Sequence, residues 1–156
     1  MHITDAAPPY SNLTPDCILD ALQSIGLRGD GRLLALNSYE NRVYQIGIED
    51  AAPVIAKFYR PDRWSDAAIL EEHAFVQELA TQEIPVVSPL LFNQQTLHTF
   101  KGFRFAVYPR QSGRAPELDD ANSLEWIGRF MGRIHAVGAL KPFVERPALD
   151  IDSFGV

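Results

Sequence analysis

The sequence predicts an α+β fold: an antiparallel sheet with one main helix, then a linker and the first helix of a second lobe. Three observations carry this reading. Runs with strand-like alternation cluster at residues 32–36, 43–48 and 54–59 instead of interleaving with helices. One long helical pattern, from Ser65 to about Thr81, follows them and is itself followed by further short strands. A second long helical pattern, over residues 121–140, begins only after a stretch of loop residues.

Thr14-Pro15-Asp16 is a helix start: a capping hydroxyl, proline at the first helical position, then an acid near the positive end. Ile18, Leu19, Leu22 and Ile25 follow at helical spacing, and Gly26 ends the run. Gly29-Asp30-Gly31 reads as a turn, and Ala51-Ala52-Pro53 as the link between the second and third strands. Pro61 stops the third strand, because proline cannot donate to a ladder. Ser65 caps the main helix. Residues 90–92 and 96–99 read as a hairpin around Asn93-Gln94-Gln95, and residues 103–108 as a strand closed by Pro109. Gln111-Ser112-Gly113-Arg114-Ala115-Pro116 is the linker. The last long helix carries Leu124, Ile127, Met131 and Ile134 as its apolar stripe, widened by Trp126, Phe130 and Val137. Beyond Lys141 the chain reads as irregular.

Composition narrows the function classes. The chain has 156 residues, 46% of them hydrophobic, enough for a real core and close to the globular norm. A formal net charge of −6 without a basic run disfavours nucleic acid and anionic membrane as partners. The longest apolar stretches are far shorter than a membrane span. Residues 1–10 lack the basic and apolar regions of a secretory signal. Cys17 is alone, so no internal disulfide forms, and it reads as a small buried helix residue. A cytoplasmic location is expected.

The chemistry centres on Lys57. In its strand Val54, Ala56 and Phe58 point one way, and Ile55, Lys57 and Tyr59 the other. A strand lysine is commonly a solvated residue on an open sheet face. Here it shares a partly apolar face, and a carboxylate lies at suitable distance further along the chain. An ammonium neutralises phosphate oxygens as a point charge, and a carboxylate can hold its flexible stem. Of the adjacent acids Glu71 and Glu72, Glu72 falls near the middle of the stripe Ile69, Phe75, Val76 and Leu79, with Glu71 at its edge. Glu72 therefore either pairs with Lys57 or reaches water past the helix rim. Hairpin, strand lysine and helix glutamate is the order a nucleotide-gripping small lobe needs.

The turn before Lys57 lacks the glycines usual over phosphates. Ser38 and Asn41 can donate side-chain hydrogen bonds in their place, and Arg42 can add charge; an ordinary polar hairpin is the competing reading. The strand ending at Tyr108, followed by Pro109-Arg110, fits an interlobe hinge offering backbone groups to an adenine edge, so Tyr108 joins the candidate nucleotide residues. Gly128 and Gly132 imply close packing of the last helix, and His135 beside them reads as a core histidine. No Cys/His cluster points to zinc, and no nucleophile elbow or triad is visible.

With these residues assembled, the chain resembles the bacterial stress response kinase A family. The resemblance lies in Leu36-Asn37-Ser38-Tyr39-Glu40-Asn41-Arg42-Val43-Tyr44-Gln45, in Lys57-Phe58-Tyr59-Arg60-Pro61 with Arg63-Trp64, and in Ile69-Leu70-Glu71-Glu72-His73. Gly102-Phe103, Phe105-Ala106-Val107, and Gly128-Arg129 with Gly132-Arg133-Ile134-His135 continue it in one order along nearly the whole chain. That family is similar in fold to aminoglycoside phosphotransferases, choline kinases and homoserine kinases. The resemblance implies a protein-kinase-like fold, ATP and Mg²⁺, and transfer of the ATP γ-phosphate to Ser/Thr hydroxyls of proteins under stress. It implies that Ser38 lies at the phosphates, Lys57 holds them and Glu72 pairs with Lys57.

Family members are considerably longer. Their His-Gly-Asp catalytic loop and their later metal-binding Asp have no counterpart here. The resemblance thus covers an N-terminal half. Residues 1–30 read as a helical extension, 31–110 as an ATP-binding small lobe, and 111–156 as linker and start of a truncated large lobe. No catalytic residue and no metal ligand is assigned; the Mg²⁺ ligands are expected in the missing half. The chain alone is expected to be inactive and prone to self-association. Two other readings compete: a small-molecule kinase of the aminoglycoside, homoserine or choline type, and a non-catalytic nucleotide-binding or interaction fragment.

Overall fold

The computed structural model describes residues 8–154. The reading of the first residues as lacking a secretory signal lies, for residues 1–7, outside the described residues. The elements are α1 (Pro15–Ser24), β1 (Gly29–Leu36), β2 (Arg42–Ile48), β3 (Ala51–Phe58), α2 (Asp66–Thr81), β4 (His98–Phe100), β5 (Phe103–Pro109), α3 (Ala121–Gly138) and α4 (Ile151–Phe154). They form two compact units, Met1–Ser65 with Pro89–Arg110, and Asp66–Ser88 with Gln111–Val156. A five-stranded antiparallel sheet together with helices is the expected α+β class.

In the first unit the strand order is β1-β2-β3-β5-β4. Alternation along β3 buries Val54, Ala56 and Phe58 and leaves Ile55 and Lys57 half-buried on the other face. The buried face packs Ile46 of β2, Phe105 and Val107 of β5, and Ile18, Ala21 and Leu22 of α1 into one core. Phe58 and Phe105 are in register and their rings stack at 5.2 Å. Helix α1 starts as the sequence implies. The Thr14 hydroxyl accepts from the Cys17 N–H at 3.2 Å, and Gly26, at φ +91°, follows its end. Cys17 is buried in that helix.

Three turn assignments move. Gly29, Asp30 and Gly31 belong to β1, not to a turn. The register shifts between Gly29 and Leu33, so the strand absorbs them as an irregularity. A Cβ at Gly29 would sit 2.7 Å from Leu19 Cδ2, so a side chain there would displace the end of Leu19. Ala51, Ala52 and Pro53 belong to β3, and the β2–β3 turn is the tighter Glu49-Asp50, with Asp50 at φ +56°. Pro53 is tolerated because the ladder is irregular between Ile46 and Ile48, opposite it. The hairpin expected around Asn93-Gln94-Gln95 shrinks to one bridge between Phe92 and Gln95. The real hairpin joins β4 to β5 through Lys101 and Gly102, both at positive φ.

In the second unit α2 buries Ala68, Ile69, His73 and Leu79. Helix α3 is capped by Asp120, whose carboxylate accepts from the Ser123 N–H at 2.9 Å and hydroxyl at 2.8 Å. Gly138 approaches α2 closely: a Cβ there would lie 3.4 Å from the Phe75 ring. Elsewhere α3 differs from expectation. It has no buried residue; Leu124, Trp126 and Met131 are 50%, 59% and 52% exposed. A Cβ at Gly128 or Gly132 would meet nothing within 4 Å, so no described element packs on those glycines. His135 is exposed and not a core residue. The tail read as irregular contains the short α4. No described helix is long and apolar enough to cross a membrane.

Candidate functional site

Lys57 sits on the middle strand of the sheet. Its backbone is held on both sides, opposite Val43 of β2 and Ala106 of β5. Such a double ladder fixes where the side chain leaves the sheet. Its Nζ lies 4.9 Å from the centre of the Tyr59 ring and 5.3 Å from that of Tyr108. Both distances suit attraction between an ammonium and an aromatic face. Tyr108 is opposite Ile55, which places it one step along the same face as Lys57. The Lys57 ammonium thus has two aromatic neighbours, and Lys57 and Tyr108 are brought together.

The turn between β1 and β2 brings Ser38 and Asn41 together in another way. The Ser38 hydroxyl donates to the Asn41 carbonyl, and the Asn41 side-chain oxygen accepts from the Arg60 N–H at 3.3 Å. These bonds close the turn on itself and tie it to the residues after β3. Sequence reasoning missed the stronger clamp on this turn. The Glu40 carboxylate accepts from Arg63 Nε at 2.6 Å and from Trp64 Nε1 at 3.1 Å. Those bonds, the Arg63 one first, hold its carboxyl below the usual range. The Glu40 carbonyl accepts from the Tyr10 hydroxyl at 2.9 Å, and Arg42 lies 4.6 Å over the Tyr10 ring. Burial pushes the Tyr10 hydroxyl up to about 12. Arg42, read as added charge for phosphate, therefore stacks on Tyr10. Arg63-Trp64 was visible as a motif, but nothing in the sequence pointed it at Glu40.

In the second unit both α2 acids are engaged. Glu72 is half-buried and pairs with Arg146, Nη1 to Oε2, at 2.8 Å. The Glu71 carboxylate accepts three successive backbone N–H groups, from Val144 at 2.6 Å and from Glu145 and Arg146 at 2.9 Å each. Such a concavity of backbone donors is an anion site. These bonds, the Val144 one first, lower the Glu71 pKa. Phe143, next in line, packs edge-on against Phe75 at 5.1 Å. Residues 143–146 thus form a strap fastened to α2 at Glu71, Glu72 and Phe75. No pattern in the sequence marks this strap, since its partners lie far apart along the chain.

The Glu71 attachment has a pH signature. A carboxyl whose folded pKa is depressed contributes stability above its unfolded pKa, and that contribution is lost as pH falls through the lower folded value. Acidification through and below the ordinary glutamate range is expected to release the strap. Glu71→Gln should show it released already at neutral pH. Amide NMR shifts of residues 144–146 in both proteins, followed through an acid titration, check this. Identical titrations would remove the carboxylate from the role.

Among the described residues no group of three His, Cys, Asp or Glu side chains could hold a metal ion.

Comparison with known proteins follows this geometry. The chain is 44% identical over 152 residues to stress response kinase A of Escherichia coli (strain K12). It is 43% identical over the same length to the serine/threonine protein kinase RdoA of Salmonella typhimurium. Each match covers 97% of this chain and 46% of the relative, so the chain spans about half the length of these curated relatives. Among solved structures, amicoumacin kinase hAmiN in complex with AMP-PNP, Ca²⁺ and Ami superposes with a TM-score of 0.66. That match is at 23% identity and covers 78% of this chain and 39% of that one; it shows a shared fold. The model of the phosphotransferase enzyme family matches residues 32–154, from β1 through the α2 strap to α4, and the chain belongs to that family.

Proposed function

We propose that the chain is the nucleotide-binding portion of an ATP-dependent kinase that phosphorylates Ser/Thr hydroxyls of proteins. The observation that carries the reading is Lys57: a lysine fixed on the middle strand, with aromatic neighbours on its face, in a chain 44% identical to stress response kinase A. Lys57 is the phosphate cation and Glu72 its partner carboxylate. Ser38 and Asn41 lie at the phosphate end of the turn, where they exchange bonds within the turn for bonds to phosphate. Tyr108 stands at the hinge end of β5.

An ammonium on a rigid strand fits a triphosphate, which needs charge neutralisation more than covalent help. ATP supplies the phosphoryl group when bound; this chain's residues bind and orient it. Ligands for Mg²⁺ are assigned, on the same reading, to the half of the curated relatives that this chain does not span. A cytoplasmic location belongs to the same proposal. A small-molecule acceptor is the second reading, favoured by the fold shared with a kinase solved with Ami.

The 156-residue chain alone is expected to transfer no phosphate, because the positioning and metal charge that make up most of phosphoryl-transfer catalysis are not in it. It is also expected to self-associate through the exposed apolar side chains of α3. Calorimetric titration with Mg·ATP, a radioactive transfer assay and light scattering against concentration test the three parts. Saturable binding without transfer supports the reading. No binding sinks the nucleotide site, and a monomer that phosphorylates protein sinks the expectation for the chain alone.

A further inference from the structure

We infer that Arg146 is a positioning residue: it orients the Glu72 carboxylate for its partner cation, and the strap at residues 143–146 exists to hold Arg146 in place. The inference rests on the reading of Lys57 and Glu72 above.

The geometry supports this step by step. A glutamate on a helix surface samples many rotamers, and a carboxylate meant to fix a lysine must itself be fixed. Arg146 fixes it with Nη1 on Oε2 at 2.8 Å. A carboxylate has two oxygens and about four acceptor sites, so a guanidinium on one side leaves room for an ammonium on the other. The guanidinium is a rigid planar donor, suited to setting an orientation. An isolated ion pair at this exposure, with side chains 28% and 34% exposed, would be a weak constraint.

What distinguishes this pair is how Arg146 is anchored. Its own backbone N–H, and those of Val144 and Glu145, are bound by Glu71 on the same helix. Pro147 follows it and disfavours helical backbone at Arg146. Phe143 docks on Phe75, one turn along α2 from Glu71. Backbone, ring and guanidinium therefore meet one short stretch of α2, and Glu72 is the only potential phosphate-site residue in it. The adjacent acids divide the work: Glu71 binds the strap, and the strap's arginine aims Glu72.

Titration of Mg·AMP-PNP into the wild-type chain and five variants tests this. Arg146→Gln is expected to weaken binding about two- to fivefold, the range open to a partly exposed ion pair. Arg146→Lys is expected to recover most of the loss. Once Glu72 is Gln, adding Arg146→Gln is expected to change nothing further. A general folding lesion would instead carry its loss into the Glu72→Gln background. Additive losses there, or Arg146→Gln binding as tightly as wild type, overturn the inference. Lys57→Met separates the failures. If it binds like wild type, the nucleotide reading is wrong; if it binds weakly while Arg146→Gln does not, only the positioning role is wrong. A wild-type chain that takes no nucleotide overturns both.

Discussion

Lys57→Met is expected to weaken Mg·AMP-PNP binding about ten- to a hundredfold, with little change in thermal stability. A charge-assisted phosphate contact is worth roughly 1.5–3 kcal/mol, which gives that range. Methionine keeps an unbranched stem of similar reach, so the sheet face stays filled while the charge goes. The strand itself is held by β2 and β5 through backbone bonds that the substitution leaves alone. The attraction of Nζ to the Tyr59 and Tyr108 rings goes with the charge, about 0.5–1 kcal/mol at exposed sites. Calorimetric titration and a melting curve on the same samples separate the two effects. Equal affinities would end the phosphate role; a large drop in melting temperature would make Lys57 a structural residue.

The largest loss of stability is expected at Phe105→Ala, about 3–5 kcal/mol. Phe105 is fully buried, stacked on Phe58, and 5.4 Å from the ring of buried His98. Removing its ring leaves a cavity between the two strands that meet behind Lys57. Phe105→Leu, which retains apolar volume, should cost much less. Urea unfolding followed by tryptophan fluorescence and circular dichroism gives both values. If the alanine variant unfolds at the wild-type midpoint, the stack does not organise this core.

The two experiments probe what the sequence showed most clearly. The alternation around Lys57 was readable because a buried face forces every second residue of β3 to be apolar. The cap of α1 combines a short polar side chain with a helical run and appears where local chemistry puts it, whereas the Asp120 cap of α3 was not singled out. Turns were read less well, since residues such as Asp50 and Lys101 take positive φ without the glycine that announces it. Gly128 and Gly132 of α3 show the opposite error. Small residues on one helix face mark a close approach only when another element arrives, and no described element does. Ser38, Asn41, Lys57, Glu72 and Tyr108 could be singled out as candidates by type and phase. Their supports could not: Glu40 finds Arg63, and Glu72 finds Arg146, through tertiary folding that leaves no periodic trace.

Helix α1 carries a separate consequence. The family match begins at residue 32, after this helix has ended, yet Cys17, Ile18, Ala21 and Leu22 are buried against the sheet. The border of the family model and the border drawn by packing therefore disagree by a whole helix. Trimming the protein to the residues the family model matches would strip the cover from one side of the sheet and wet the side chains of Ile46, Phe58 and Phe105. In this fold a helix outside the family model closes the hydrophobic interior.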